Sequence, residues 1–126
     1  MINGGSPVGP GFVVYERGEG KNGYDLELAK LSVGPGWHPL LATFWEYLDQ
    51  RNEGSPDPIV VVQVKEKYGG LRIYLSHGDD YVWGMTSGIE RASTTICEDC
   101  GEPGELRNDI GWIRTLCSAH YLEARS

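Results

Sequence analysis

The longest regular pattern of apolar positions lies between residues 36 and 54. Apolar side chains recur there at the spacing that forms one wide stripe on an α-helix: Trp37, Leu40, Leu41, Phe44, Trp45 and Leu48. Pro39 suits the first turn of such a helix, and Gly54 lies beyond its end. The pattern predicts an amphipathic helix whose tryptophans pack in the core instead of forming a platform for a ligand.

A second stretch, PIVVVQVKEKYGGLRIYLS, alternates with the period of two that is typical of strands. It predicts a β-hairpin with its turn around Gly69 and Gly70. The face expected to cover the helix carries Val60, Val62, Val64, Leu71, Ile73 and Leu75. The solvent face is expected to carry Val61, Gln63, Lys65, Arg72 and Tyr74, with Lys67 near the turn.

Shorter patterns predict the remaining elements. FVVYE at residues 12–16 and YDLELAKL at residues 24–31 predict two strands, with a helix over residues 26–31 as the competing interpretation. Asp79 and Asp80 suit the cap of a further helix, along which apolar residues follow at near-helical spacing. Residues 1–11 are expected to be loose or to lie along the surface. We therefore expect one α+β domain with its core in residues 12–95 and a distinct C-terminal segment in residues 96–126.

Composition and charge limit the classes of protein to which the chain can belong. A chain of 126 residues with 40% hydrophobic residues fits one packed domain, and a net charge of −7 opposes tight non-specific binding to nucleic acid. The N-terminus has no basic region followed by an apolar run, and no stretch approaches the ~20 apolar residues that span a bilayer. An odd number of cysteines, three, without a secretion signal favours reduced thiols and a cytoplasmic protein.

The C-terminal segment contains a candidate metal site. Cys97 and Cys100 are separated by two residues, and two cysteines at this spacing can approach one ion from a single tight turn. Gly101 lets the chain turn back there, because glycine accepts positive φ. GELRND and IGWIRTL predict two short strands that return Cys117 to the first pair, and a helix starting there would place His120 on the same face. The spacing predicts a treble-clef-like Zn²⁺ site.

Several observations favour structural zinc over an active site. Four protein ligands leave no coordination position open for water. A redox Cys-x-x-Cys motif would normally follow a strand in a βαβ pattern, which the predicted elements lack. His-Asn-His nucleases carry a similar segment with a histidine on its hairpin, but residues 101–116 contain none. We therefore expect no enzyme activity.

Three blocks of the sequence together indicate a family resemblance: GWHPLLATFWEYLD, VVQVKEKYGGLRIYL and ICEDCGEPGELRNDIGWIRTLCSAH. In this arrangement the chain resembles a family of small, uncharacterised proteins encoded by bacteriophages and bacterial genomes. The resemblance covers residues 36–120. It implies a phage or prophage origin and the same four metal ligands, Cys97, Cys100, Cys117 and His120.

The solvent face of the predicted hairpin is the candidate ligand-binding surface, with Lys65, Lys67, Arg72 and Tyr74 as its residues. Residues 59–76 contain three basic residues and one acidic residue, a local charge of +2 on an acidic protein. Cations beside an aromatic ring can hold a phosphate and stack a base. A solvated face whose charges prevent strand pairing is the alternative explanation.

Two functions from different classes follow. The first is a non-catalytic, zinc-stabilised binding protein of phage type, which acts in the host cytoplasm on a host protein or sequesters an anionic, nucleotide-like small molecule. The alternative is a nucleic-acid-binding zinc module that uses Lys65, Lys67, Arg72, Arg107 and Arg114. The overall negative charge counts against the alternative.

Overall fold

The computed structural model describes residues 24–126. Its helices are α1 (Leu26–Lys30), α2 (His38–Asn52), α3 (Asp80–Ser93) and α4 (Ser118–Arg125), with a 3-10 turn at Pro35–Trp37 before α2. Strands β1 (Val61–Lys67) and β2 (Gly70–Leu75) form one antiparallel pair, and β3 (Glu105–Arg107) and β4 (Arg114–Leu116) form another. The predicted α+β class is confirmed. The strand predicted at residues 12–16 and the loose segment predicted at residues 1–11 lie outside the described residues.

The first described element corrects the strand predicted at residues 24–31. Leu26–Lys30 is a helix, and Asp25 caps it by accepting a hydrogen bond from the backbone N–H of Leu28 at 2.8 Å. The cap satisfies an N–H group that has no partner within the helix, and the leucine, glutamate, alanine and lysine that follow favour helix. The helical interpretation of this stretch is therefore right, and the strand is wrong.

The amphipathic helix is confirmed as α2. Five residues of its predicted stripe are buried and Leu40 is partly buried; the five are Trp37, Leu41, Phe44, Trp45 and Leu48. Trp37 lies in the preceding 3-10 turn, and its indole N–H donates to the carbonyl oxygens of Ser93 at 3.1 Å and Ile96 at 2.9 Å. Since a buried indole N–H needs an acceptor, this contact joins the start of α2 to the end of α3.

The hairpin of β1 and β2 is present, with its turn one residue earlier than predicted. Lys67 pairs with Gly70, which leaves Tyr68 and Gly69 as the two turn residues. Both have positive φ, 53° for Tyr68 and 84° for Gly69. A type I′ turn requires this combination, and its twist matches that of the strands it joins.

The core face of β1 differs from the predicted one near its start. A β-bulge between Val61 and Gln63 sets an extra residue of β1 against β2 and shifts the alternation by one position. Val61 and Val64 therefore both face the core, whereas Val60 and Val62 are only partly buried. The prediction that Val61 faces solvent is wrong, and the cause is the bulge.

The helix predicted after Asp79 is confirmed as α3. Asp79 caps it by accepting the backbone N–H of Val82 at 3.0 Å, and Arg51 at the end of α2 pairs with the same carboxylate at 2.7 Å. Foremost through the Val82 hydrogen bond, these contacts hold the pKa of Asp79 below its usual value. The cap therefore fixes the start of α3 against α2.

The C-terminal half of α3 covers the outer edge of β2. Ser93 Oγ accepts the backbone N–H of Leu71 at 2.9 Å, and the carboxylate of Glu90 accepts that of Ile73 at 3.0 Å. An open strand edge carries unpaired N–H groups that can recruit another strand, and these side chains satisfy them. The contacts also set α3 antiparallel to β2, so the N-terminal end of α3 lies away from the hairpin turn. None of the helices within residues 24–126 is long and apolar enough to cross a membrane.

Candidate metal centre

The four predicted metal ligands meet in one cluster. The ligand atoms of Cys97, Cys100, Cys117 and His120 all lie within 4.8 Å of one another. Sγ of Cys100 is 3.8 Å from Sγ of Cys117. Nδ1 of His120 is 3.3 Å from Sγ of Cys117 and 3.5 Å from Sγ of Cys97. The cluster can therefore hold a metal ion.

Three of the separations between the ligand atoms fit tetrahedral coordination. With metal–sulfur bonds of about 2.3 Å and metal–nitrogen bonds of about 2.0 Å, two sulfurs of a tetrahedron lie about 3.8 Å apart, and a sulfur and a nitrogen about 3.5 Å apart. The separations of 3.8 Å, 3.5 Å and 3.3 Å agree with this. Three thiols and one imidazole suit a transition metal and disfavour Mg²⁺ and Ca²⁺, which prefer oxygen ligands.

Local structure explains why these side chains converge. The chain reverses at residues 97–101, called the knuckle below, where Gly101 has a φ of 86° and donates its N–H to the carbonyl oxygen of Cys97 at 2.9 Å. The pairing of β3 with β4 then returns the chain to Cys117. Cys117 is the N-cap of α4, and its sulfur accepts the backbone N–H of His120 at 3.4 Å. The cap places both side chains at the first turn of α4.

The side chains of the cluster differ in how their pKa values are shifted. Burial raises the pKa of the Cys97 thiol, but hydrogen bonds from backbone N–H groups, foremost those of Cys117 and Cys100, outweigh it and lower that pKa to about 7. For Cys100, a backbone hydrogen bond from Glu102 acts to lower the pKa, but desolvation and the two other cysteine sulfurs raise it to about 11. Hydrogen bonds to the sulfurs of Cys117 and Cys97 raise the pKa of His120. The Cys97 thiol therefore ionises more readily than the Cys100 thiol.

The knuckle is packed against the start of α2. The backbone N–H of Gly36 donates to the carbonyl oxygen of Glu98 at 2.7 Å. A Cβ atom on Gly36 would lie 1.9 Å from the carbonyl oxygen of Cys97, and one on Gly34 would lie 2.5 Å from that of Glu98. Only glycine permits so close an approach of two backbones. Sequence reasoning missed this contact. The glycines on both sides of Pro35 are a signal of it, because the start of a helix does not itself require glycine.

Two arginines of the nucleic-acid alternative are engaged within the C-terminal segment. Arg114 pairs with Asp99 at 2.7 Å and lies 3.6 Å from the carboxylate of Glu98. The guanidinium of Arg107 stacks 4.2 Å from the ring centre of Tyr121 and donates to a backbone carbonyl. Both side chains stabilise the knuckle and the hairpin that follows it. They are therefore not available as a basic patch.

The predicted ligand-binding residues lie together on the β1–β2 hairpin. Lys65 is directly opposite Arg72, and the ammonium of Lys65 lies 5.6 Å from the ring centre of Tyr74. Lys67 lies at the end of β1, 5.7 Å from the ring centre of Tyr68. We call Lys65, Lys67, Arg72 and Tyr74 the basic face. Within residues 24–126, none of its three cations forms an ion pair.

A second contact that sequence reasoning missed joins the two hairpins. The hydroxyl of Thr115 in β4 is buried and donates to the carbonyl oxygen of Gly69 at 2.7 Å. A Cβ atom on Gly69 would lie 2.6 Å from Leu106 and 3.0 Å from Ile113. The turn of the β1–β2 hairpin thus packs against the β3–β4 hairpin. No local pattern reveals this contact, since it depends on residues far apart in the chain.

Comparison of the chain with protein-family models, with curated proteins and with solved structures gives no match. The assignment of this site therefore depends on its own geometry.

Proposed function

We propose that this chain is a non-catalytic, zinc-stabilised binding protein of phage type, which acts in the host cytoplasm on a host protein or sequesters an anionic, nucleotide-like small molecule. The observation that carries the proposal is the basic face. Its three cations have no ion-pair partner among residues 24–126, although the whole chain has a net charge of −7. Since acidic side chains are plentiful, an unpaired group of cations beside a tyrosine favours an anionic ligand.

Zinc is the metal that best suits the cluster. Three thiolates and one imidazole in a tetrahedron are typical of structural zinc, and four protein ligands leave no open position for a reaction. The order of the knuckle, the β3–β4 hairpin and the start of α4 supports the treble-clef-like assignment. The described part of this segment buries few large apolar side chains, foremost Leu116, so metal binding would contribute directly to its folding.

Native mass spectrometry of the purified protein tests the metal. We expect one zinc ion per chain, lost when the protein is denatured. Folded protein that contains no zinc would contradict the assignment.

Calorimetric titration with nucleoside triphosphates tests the ligand. We expect binding that Arg72→Ala weakens at least tenfold, because the guanidinium supplies charge-assisted hydrogen bonds. Arg125→Ala is the matched control, since it removes the same charge from α4, and it should bind as wild type does. Equal binding by wild type and Arg72→Ala would exclude the basic face.

The alternative, nucleic-acid binding, can be separated from the proposal by salt. Affinity for an oligonucleotide would fall steeply as salt rises, because neutralised phosphates release their counterions. The ion pairs of Arg114 and the stacking of Arg107 already disfavour this alternative. We expect no oligonucleotide binding at physiological salt, measured by fluorescence anisotropy.

A further inference from the structure

Tyr68 occupies a backbone position that disfavours it. Its φ of 53° lies in the left-handed region, where a bulky side chain is a genuine outlier. A type I′ turn strongly prefers asparagine and glycine at its two central positions, and here only Gly69 fits that preference. Tyr68 is 70% exposed, so core packing does not compensate for the unfavourable backbone. Strained residues of this kind cluster at functional sites.

Two other large apolar side chains are exposed beside this turn, and a third follows one of them in the chain. Leu106 and Ile113 lie against Gly69 and remain 51% and 37% exposed, and Trp112, next to Ile113 in the chain, is 64% exposed. Exposed apolar groups that lie together mark interaction sites, whereas single ones are ordinary. Aromatic residues are also the side chains that most often dominate binding energy at protein interfaces. We call Tyr68, Leu106, Trp112 and Ile113 the turn patch.

Charge indicates what would cover the turn patch. Lys67 adjoins Tyr68, with its ammonium 5.7 Å from the ring centre. Lys65 and Arg72 follow along the same hairpin and form no ion pair within residues 24–126. A partner that covers the apolar groups would therefore bring its flanking residues against positive charge. A polynucleotide or an anionic membrane would also meet positive charge here, but the net charge of −7 repels such extended polyanions more strongly than a segment with only a few carboxylates.

We propose that the turn patch, with the adjacent cations, binds a protein segment that carries aromatic or aliphatic side chains next to carboxylates. The inference rests on the proposed binding function and identifies the partner as a protein rather than a small anion. The aromatic groups of Tyr68 and Trp112 supply apolar contact area at a small entropic cost, and Lys67 supplies the charge that selects an acidic flank.

A selection from a displayed library of random twelve-residue peptides tests the proposal, with the zinc-loaded full chain as target and Tyr68→Asn as counter-target. We expect enrichment of peptides in which Trp, Phe or Leu lies beside Asp or Glu. A synthetic peptide from the selection should bind at least tenfold more weakly to Tyr68→Asn and to Trp112→Ser in fluorescence polarisation. Tyr68→Asn should melt at or above the wild-type temperature, because asparagine suits its backbone position.

Tyr81→Asn is the matched control. It removes an 85% exposed tyrosine from the first turn of α3, the end that lies away from the hairpin turn, and it should leave peptide binding unchanged. Equal binding by wild type, Tyr68→Asn and Trp112→Ser would overturn the inference, as would the absence of enriched peptides or binding to anionic phospholipid vesicles in their place. Self-association that depends on Tyr68, measured by light scattering, would overturn it too.

Arg72→Ala separates this inference from the proposed function. Loss of peptide binding in Tyr68→Asn but not in Arg72→Ala would support the turn patch while removing the basic face from the function. Loss in Arg72→Ala alone would retain the basic face and overturn the inference.

Discussion

Replacing Gly36 by alanine tests the contact between the start of α2 and the knuckle. The new Cβ atom would lie 1.9 Å from the carbonyl oxygen of Cys97 and 2.5 Å from the backbone nitrogen of Gly101. Both atoms belong to backbone and cannot rotate away. Since a Cβ atom does not approach other heavy atoms within 3.0 Å, the knuckle has to move by about 1 Å.

The cost of the Gly36→Ala substitution can be estimated from its parts. Overpacking of this kind typically costs about 1 to 3 kcal/mol, and a clash with rigid backbone belongs at the upper end. The hydrogen bond from Gly36 to Glu98 contributes about 1 kcal/mol, which the displacement removes. Alanine also restricts the backbone of the unfolded chain more than glycine does, which offsets about 0.4 to 1 kcal/mol of the loss in stability. We expect a net loss of about 3 kcal/mol, or a melting temperature lowered by about 10 to 15 °C.

Gly84→Ala provides the matched control in the same thermal melts, followed by circular dichroism. Gly84 lies within α3, and no atom lies within 4 Å of the Cβ that alanine would add. Alanine is a better helix former, so this variant should gain about 0.5 to 1 kcal/mol. Wild-type stability in Gly36→Ala, or equal losses in the two variants, would refute the close packing of knuckle and helix. Faster release of zinc to a chelator should accompany the loss in Gly36→Ala only.

Three further predictions concern other parts of the fold. Cys100→Ser should abolish zinc binding and remove amide exchange protection first from β3, β4 and α4, because the core of α2 and the β1–β2 hairpin has its own apolar burial; uniform loss would contradict this. Phe44→Ala should lower the free energy of unfolding by about 3 to 5 kcal/mol in urea titration, since Phe44 is fully buried, and an unchanged midpoint would contradict that packing. Asp79→Ala should lower the free energy of unfolding at neutral pH through loss of the α3 cap. Because the folded pKa of Asp79 is lowered, this stabilisation is present above its unfolded pKa and disappears as pH falls through the folded value. The difference in the free energy of unfolding between wild type and Asp79→Ala should therefore vanish in strong acid. A difference that stays constant with pH would contradict this.

The parts of the fold with dense local signals could be predicted from the sequence. The apolar stripe of α2 and the spacing of the metal ligands depend on residues a few positions apart, and both are confirmed at the level of the helix and the ligand cluster. The zinc identity and the basic face remain predictions, because geometry alone does not identify a bound ion or ligand.

Other features could not be predicted because competing local signals were nearly balanced. The apolar residues of 24–31 suit a strand as well as a helix, and the cap by Asp25 decides between them. The bulge in β1 lies in a run of valines. Because these residues are identical, the run has no apolar–polar alternation from which the position of the bulge could be predicted. The packing of Gly36 on the knuckle depends on residues about sixty positions apart, for which no periodic pattern exists.

The contact between Gly36 and the knuckle has a consequence for biosynthesis. During translation, residues 34–37 leave the ribosome long before Glu98, the residue whose carbonyl oxygen and carboxylate bind them. Trp37 likewise emerges before Ser93 and Ile96, which accept its indole N–H. These contacts can therefore form only after the C-terminal cysteines appear, and binding of the proposed metal ion would be a late step of folding. If the metal is zinc, as proposed, its scarcity during synthesis would expose the protein to proteolysis at the N-terminal end of α2 as well as at the metal site.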